Sequence, residues 1–458
     1  MIWIILFLGL VLRIFSINQS FWLDEATSAT VAKHLSFTDI ISKFSPGDFH
    51  PPLYYLTLKL WTLPFGVNEF SARSLSIVAA LATIYFTYLI GKTYFEKNTG
   101  LMAAILLAVA PLHIYYSQEA RMYSLQTLFV TMSVYFFVKL TKKHHLGHWL
   151  LFSLTLVLVG MTDYLPLFII PVFFVYSLVN KKGISFISKL ILSLLPLAAV
   201  FAVWSPTLIT QINSGLSVAG SSAVWWRVLG KSSIKELALV PIKFMVGRIT
   251  FDNKFVYALL VTFVGAIYGY LLVKTKQHLA KTSLVWLWLL LPIGLIFLVG
   301  FKVSVFSYFR LVFVLPALYL LLAFGLAKVK ENVFPLVFMA ILLVNITFSW
   351  MYLSNEKFHR EDWRQAVSFV ETDLSGKKGV VVFPGDSQHE AYLYYSQSDT
   401  IVKPNDITGQ EEKVWLVRYV QDISDPADTT RVKIEDLGYT KSAEKNFNGI
   451  VVWEYTRK

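Results

Sequence analysis

Eleven apolar runs partition the first 352 residues, at roughly 1–17, 72–94, 99–115, 122–140, 148–162, 164–180, 186–206, 255–273, 283–301, 307–326 and 333–352. A run of about 18 residues crosses roughly 30 Å of hydrocarbon as a helix, which satisfies its own backbone polar groups. A further apolar stretch, YYLTLKLWTLPF at 54–65, is short and interrupted by Lys59, so it is expected to lie along the interface. The first run has no basic leader, carries Arg13 inside it and precedes no small-residue cleavage site. It is expected to be an uncleaved span.

After residue 352 the period changes. EDWRQAVSFVETDL places Trp363, Val367, Val370 and Leu374 on one helical face. KGVVVFPGD and EKVWLVRYV read as buried strands ending in turn chemistry, and GIVVWEY as a closing strand. Helices alternating with strands predict a small soluble α/β domain over 353–458, to which no chemistry is assigned.

Composition agrees with a polytopic membrane protein, 55% hydrophobic and 15% charged. The absence of cysteine excludes disulfides, thiol catalysis and cysteine-held metals. Residues 1–352 carry 27 Lys and Arg against 11 Asp and Glu, whereas residues 353–458 carry 14 against 18. The positive excess therefore belongs to the membrane part, where a nucleic-acid binder would want it on a soluble face. Tight lysine clusters recur at alternate connections: Lys92 and Lys97, Lys139 to Lys143, Lys181 and Lys182, Lys274 to Lys281, Lys328 and Lys330. The positive-inside rule places these in the cytoplasm. The loops 18–71, 116–121, 207–254 and 302–306 are then expected outside, with the tail, although 207–254 also carries five basic residues.

The scarce acids are the first functional signal. Of the eleven in 1–352, four (Asp24, Glu25, Asp39 and Asp48) fall between Phe21 and Tyr55. A carboxylate beside hydrocarbon is costly without a partner or a task. Asp24 and Glu25 are the candidate general bases; the structural alternative is that Asp24 caps the helix EATSATVAKHL. His50 precedes a double proline that holds it extended, either aimed at a site or simply opening the next helix. In SQEARMYSLQ, Glu119 and Arg121 either form a local pair at a helix start or face the first loop across a cavity. Arg310, in FSYFRLVF, either snorkels or meets an anion, and for Arg13 the structural reading is preferred.

WLDEA, FHPPLYYL, EFSAR, YSQEARMYSL and YFRLVFVLPALYLLLAFGLA together resemble the GT-C membrane glycosyltransferases. The narrower resemblance is to the family of protein O-mannosyltransferases and lipid A aminoarabinose transferases, well over residues 1–130 and loosely over 305–327. It implies a polytopic α-helical membrane protein of GT-C architecture with a C-terminal α/β domain, active at the outer face. Its implied reaction is transfer of a sugar from a polyprenyl-phosphate donor to a lipid, glycan or protein acceptor. By the resemblance, the first-loop acid is Asp24 with Glu25 beside it, and the second-loop acid is Glu119. The cation before the double proline is His50, where the aminoarabinose transferases have Lys; His50 is charged only when protonated. The arginine that meets the lipid phosphate is Arg310.

On this reading Asp24 deprotonates the acceptor, with Glu119 as helper, while His50, Arg121 and Arg310 receive the departing phosphate. Single displacement inverts the anomeric centre. Trp225, Trp226 and Arg227 are expected to cover the carrier lipid. A divalent metal is left open, and a sugar-nucleotide donor is not expected because the basic loops offer no paired acids. Two other classes remain: a lipid or polysaccharide transporter, which would want ionisable residues deep in several spans, and an anchor presenting the soluble tail.

Overall fold

Every expected span falls on helix in the computed structural model, which describes residues 1–221, 230–374, 378–386, 388–398 and 400–457. Among the described residues seven helices are long and apolar enough to cross a membrane: Glu69–Phe95, Tyr123–Lys142, Ile184–Ser217, Lys254–Lys276, Leu279–Val299, Tyr308–Leu326 and Phe334–Ser354. Three shorter apolar helices, Ile2–Ile14, Leu146–Thr162 and Leu165–Val179, and one bent pair complete the expected eleven.

The bent pair, Lys97–Ala108 and Pro111–Ser117, turns through 62° where the sequence suggested one continuous span. Pro111 is the reason: it lacks an N–H and its ring would clash with the carbonyl four residues back, so the first helix ends before it. Carbonyls freed by the break need partners in an apolar bundle. Arg13 Nη1 donates to Ala108 O at 2.9 Å, Ser349 Oγ to Val109 O at 2.8 Å and Asn345 Nδ2 to Leu106 O at 3.4 Å. The Arg13 guanidinium also donates to Gly9 O at 2.9 Å and meets His113 Nδ1 at 2.7 Å. Its role is structural.

The helix that begins at Leu195 runs to Ser221, well past the expected span end at 206, because apolar residues continue through Ile209, Ile212 and Leu216. A second helix, Ile234–Val246, lies within the expected 207–254 loop. Trp225, Trp226 and Arg227 lie outside the described residues.

The connections sort to two ends of the bundle. At one end Lys142 donates to Thr93 O and Lys182 to Thr141 O, and the Phe95 and His278 rings both pack on Phe324; this end carries the lysine clusters. The other end gathers 18–71, 118–122, 163–165, 247–253, 302–307 and the tail.

The tail holds a five-stranded mixed sheet. Its strands are β1 (Gly379–Val382), β2 (Ile401–Val402), β3 (Lys413–Val417), β4 (Tyr439–Phe447) and β5 (Ile450–Arg457), in spatial order β2-β1-β3-β5-β4. β1 pairs parallel with β2 and β3, while β5 runs antiparallel to β3 and β4. The helix Trp363–Leu374 buries the predicted face, Trp363, Val367, Val370 and Leu374, together with Ala366. β4 escaped the sequence reading because only its two end residues are buried, which leaves no apolar alternation.

Close helix packing rests on glycine where the helices from Glu69 and Lys97 meet. A Cβ on Gly100 would sit 2.5 Å from Tyr88 O and 2.8 Å from Lys92 N, and one on Gly91 would sit 2.5 Å from the Gly100 Cα. Small residues let helix backbones approach this closely in a membrane. Gly100→Ala is expected to cost about 1–3 kcal/mol through overpacking, read as a lower unfolding temperature in detergent. Gly269→Ala, where a Cβ meets nothing within 4 Å, serves as the control that leaves it unchanged.

Candidate active site

The charged end of the bundle is built on the helix Leu23–His34. Trp22, not Asp24, is its N-cap residue, and no side chain caps it. Asp24 and Glu25 therefore occupy the first turn, where the helix dipole favours negative charge. One helical step apart, they point to different environments.

Glu25 is fully buried and Arg73 meets it with two parallel bonds, Nε to Oε1 at 2.8 Å and Nη2 to Oε2 at 2.6 Å. The remaining guanidinium hydrogens go to Ile17 O and Gln19 O at 2.6 Å each and to Ser20 O at 3.1 Å. Ala120 N donates to Glu25 Oε1 at 2.6 Å. All five guanidinium donors are thus used. This pair ties the end of the first span, the first loop, the helix from Glu69 and the second loop together.

Asp39 is spent on the surface, 2.7 Å from Lys43. Asp48 sits deeper: Tyr55 donates to Oδ2 at 2.8 Å and His50 Nδ1 lies 3.6 Å away. Burial works to raise the Asp48 pKa, but His50, Arg121 and Tyr55 outweigh it and hold the carboxyl well below the usual range. The His50 turn is held from a distant helix. Gln211 Nε2 donates to Ser45 O at 2.6 Å and to His50 O at 3.0 Å, and Tyr164 holds the Gln211 oxygen at 2.5 Å.

Asp24 retains 39% of its side-chain surface exposed. Its charged neighbour is Arg121, with Nη2 at 3.5 Å from Oδ2. Arg121 Nη1 also reaches Ser28 Oγ and Tyr55 Oη at 3.4 Å each, while its buried Nε is unpartnered. Burial would lower the Arg121 pKa, but Tyr55, Asp24, Tyr123 and Asp48 outweigh that and keep the guanidinium charged. Arg121 thus faces the first loop rather than pairing with Glu119.

Glu119 is also buried, and its partner comes from the tail: Arg360 Nη2 lies 2.5 Å from Oε2. Burial pushes the Glu119 carboxyl up, against the opposing pull of Arg360. Arg310 enters from the turn Tyr308–Val314, which packs Phe309 against Tyr123 with centroids 5.7 Å apart. Its Nη1 reaches only Ser304 O, at 3.5 Å, and among the described residues no carboxylate pairs with it. The Tyr123 hydroxyl lies within electrostatic reach of Arg121, Glu119, Arg310 and Asp24 together. Asp24 and Arg310 therefore both lie near Tyr123, at the loop end of the bundle.

Several contributors were not singled out from sequence. Gln211 carries no pattern signal, and Tyr55 stood only as part of FHPPLYYL. Arg73 stood only as part of EFSAR, and Arg360 lies 241 residues from its partner. Among the described residues no three His, Asp or Glu gather into a group suited to a metal ion, so no step is routed through one.

A helical bundle that gathers mixed charge at its loop end and seats a small α/β domain there has a GT-C fold. The family described as dolichyl-phosphate-mannose-protein mannosyltransferase matches residues 49–210. A protein of Aquifex aeolicus (strain VF5), described as uncharacterized, is 27% identical over 138 residues, a stretch spanning 29% of this chain and 27% of that relative. The crystal structure of ArnT from Cupriavidus metallidurans bound to undecaprenyl phosphate matches 98% of this chain and 96% of its own, with a TM-score of 0.60 at 12% identity. The oligosaccharyltransferase of Archaeoglobus fulgidus matches 92% of this chain and 69% of its own, with a TM-score of 0.53 at 10% identity. The resemblance to the GT-C glycosyltransferases is borne out, over the family match in sequence and over nearly the whole chain in fold.

The Glu25–Arg73 pair is expected to be structural. Removing one partner, as in Glu25→Gln or Arg73→Met, strands a buried charge or donor set and is expected to cost about 3–5 kcal/mol. Thermal unfolding in detergent checks this, with Asp24→Asn leaving the transition unchanged.

Proposed function

We propose that this chain transfers a sugar from a polyprenyl-phosphate carrier to an acceptor hydroxyl, at the extracytoplasmic face of the cell membrane, with inversion. The observation that carries the assignment of the base is the contrast among the four site carboxylates. Glu25 is consumed by Arg73, Asp48 by Tyr55 and His50, and Glu119 has one oxygen on Arg360; Asp24 alone of the four is substantially exposed. The fold supports the donor class, since solved structures that share it hold undecaprenyl phosphate or dolichol-phosphate.

In the proposed reaction the acceptor O–H gives its proton to Asp24 as its oxygen attacks the anomeric carbon. The bond from that carbon to the phosphate oxygen breaks with its electrons, and polyprenyl phosphate leaves. On this reading Arg121 and Arg310, both near Tyr123, present guanidinium donors to the departing anion, with His50 contributing when protonated. Glu119, held by Arg360, acts as helper to Asp24. Glu25 acts by placing Asp24. The clustering of charge at the loop end, away from the lysine-bearing end, favours an enzyme over a transporter.

Purified protein in lipid discs, given a panel of labelled polyprenyl-phosphate sugars and an extract of membrane acceptors, is expected to transfer label. Asp24→Asn should lower that rate about 10²–10⁴-fold, and an unchanged rate removes Asp24 from the mechanism. Arg121→Ala and Arg310→Ala should each weaken undecaprenyl phosphate binding by about 1.5–3 kcal/mol.

Orientation has its own test, because the chain contains no cysteine. A single Thr30→Cys is expected to react with an impermeant maleimide on intact cells, and a single Lys143→Cys only after permeabilisation. The reverse pattern would invert the topology.

A further inference from the structure

The soluble domain is seated on the loop end by a specific set of contacts. Ser20 Oγ donates to Glu361 O at 2.7 Å and accepts from Trp363 N at 2.9 Å. Tyr395 Oη accepts from Phe21 N at 2.7 Å and donates to Glu69 at 2.5 Å. Arg364 meets Glu69 at 2.5 Å. These bonds grip the residues just ahead of Asp24, so the domain and the first loop are fixed relative to each other.

Arg360 reaches further than the rest. Its guanidinium lies between two rings, 4.4 Å from the Trp22 centroid and 4.7 Å from that of Tyr115, and its backbone N–H donates to Gln19 Oε1 at 3.2 Å. A planar cation held flat by aromatic faces has one direction in which to offer its edge. That edge meets Glu119 Oε2 at 2.5 Å. The Glu119 backbone is pinned independently, its carbonyl accepting from Ser76 Oγ at 2.6 Å. One oxygen of a buried carboxylate is thus committed and the other, Oε1, has no partner.

We infer that Arg360 of the soluble domain is a positioning residue of the active site, which holds Glu119 ionised and fixes the orientation of its carboxylate. The inference rests on the transferase reading for what Glu119 does, but not for how it is held. The charged groups acting on Glu119 are Arg360, Glu25, Arg248 and Arg121, in that order after burial. Glu25 is neutralised by Arg73, and Arg121 is drawn to Asp24. Arg248 donates to the Tyr115 hydroxyl at 2.7 Å and lies over the ring that Arg360 also covers. Four phenols, Tyr54, Tyr115, Tyr116 and Tyr123, also face Glu119. Arg360 is then the cation in direct contact with Glu119, and its removal leaves burial opposed only by the weaker pull of Arg248 and Arg121. The sign follows: without it the Glu119 carboxyl takes up a proton at higher pH, and a reaction that needs the carboxylate loses its acid limb at higher pH.

The test pairs a spectroscopic readout with a kinetic one. In infrared difference spectra of the full-length protein, Arg360→Gln should show a protonated-carboxyl band near neutral pH. Wild type and the Arg360→Gln, Glu119→Gln double variant should both lack it. The acid limb of the pH–rate profile for transfer should move up by about 1–3 units in Arg360→Gln, with Arg360→Lys restoring most of it. Arg364→Gln, which breaks a pair between the same two parts without touching Glu119, should move neither. An Arg360→Gln variant with no new band and an unmoved limb overturns the inference and leaves the transferase reading standing. Equal shifts in Arg364→Gln also overturn it, showing that docking alone matters. If wild type transfers nothing, the transferase reading fails and the band still decides whether Arg360 sets the state of Glu119.

Discussion

The buried pair of Glu25 and Arg73 is the constraint on which the charged end of this protein depends. In a bundle surrounded by lipid, a guanidinium must find an acceptor for every N–H it brings inside. Arg73 does so by collecting three backbone carbonyls from residues 17–20 and both oxygens of Glu25. The carboxylate in turn takes the Ala120 N–H. Three stretches of chain remote in sequence, at residues 17–25, 73 and 120, are thereby held at fixed spacing. The position of Asp24, one residue along from Glu25, is a consequence of that arrangement.

Environment then divides labour among side chains of one chemical type. Asp24, Glu25, Asp48 and Glu119 are all carboxylates at the same end of the bundle, yet each has a different set of neighbours. Glu25 is saturated, Asp48 is held ionised by its partners, Glu119 is half-committed and buried, and Asp24 is open beside Arg121. The cations are divided in the same way. Arg13 serves the helix break and Arg73 the core, whereas Arg121 lies beside Asp24 and Arg310 reaches only the Ser304 carbonyl among the described residues.

The α/β domain belongs to this system. Its sheet and the helix Trp363–Leu374 make a small core of their own, but its first residues are threaded between Trp22 and Tyr115 and reach Glu119. A domain that supplies a partner to a buried acid has its placement coupled to the charge state of that acid. That coupling gives a tail without nucleotide loop or metal ligands a physical reason to be attached to a membrane bundle.

What the chain determined by itself was everything that depends on local pattern. Eleven runs of apolar residues set eleven helical spans, alternating lysine clusters sort the connections to two ends, and period-2 and period-3.6 signals place most of the tail's elements. The rarity of acids in 1–352 drew attention to Asp24 and Glu119. Local pattern could not distinguish Asp24 from Glu25, because adjacent residues on a helix differ only in which neighbours the fold brings to them. It could not foresee that Glu119 would pair with Arg360 rather than Arg121, nor that Gln211 would hold the His50 turn, since these contacts cross 241 and 161 residues. Burial and pairing are properties of the packed bundle, and for a carboxylate they decide whether it is a staple or a base.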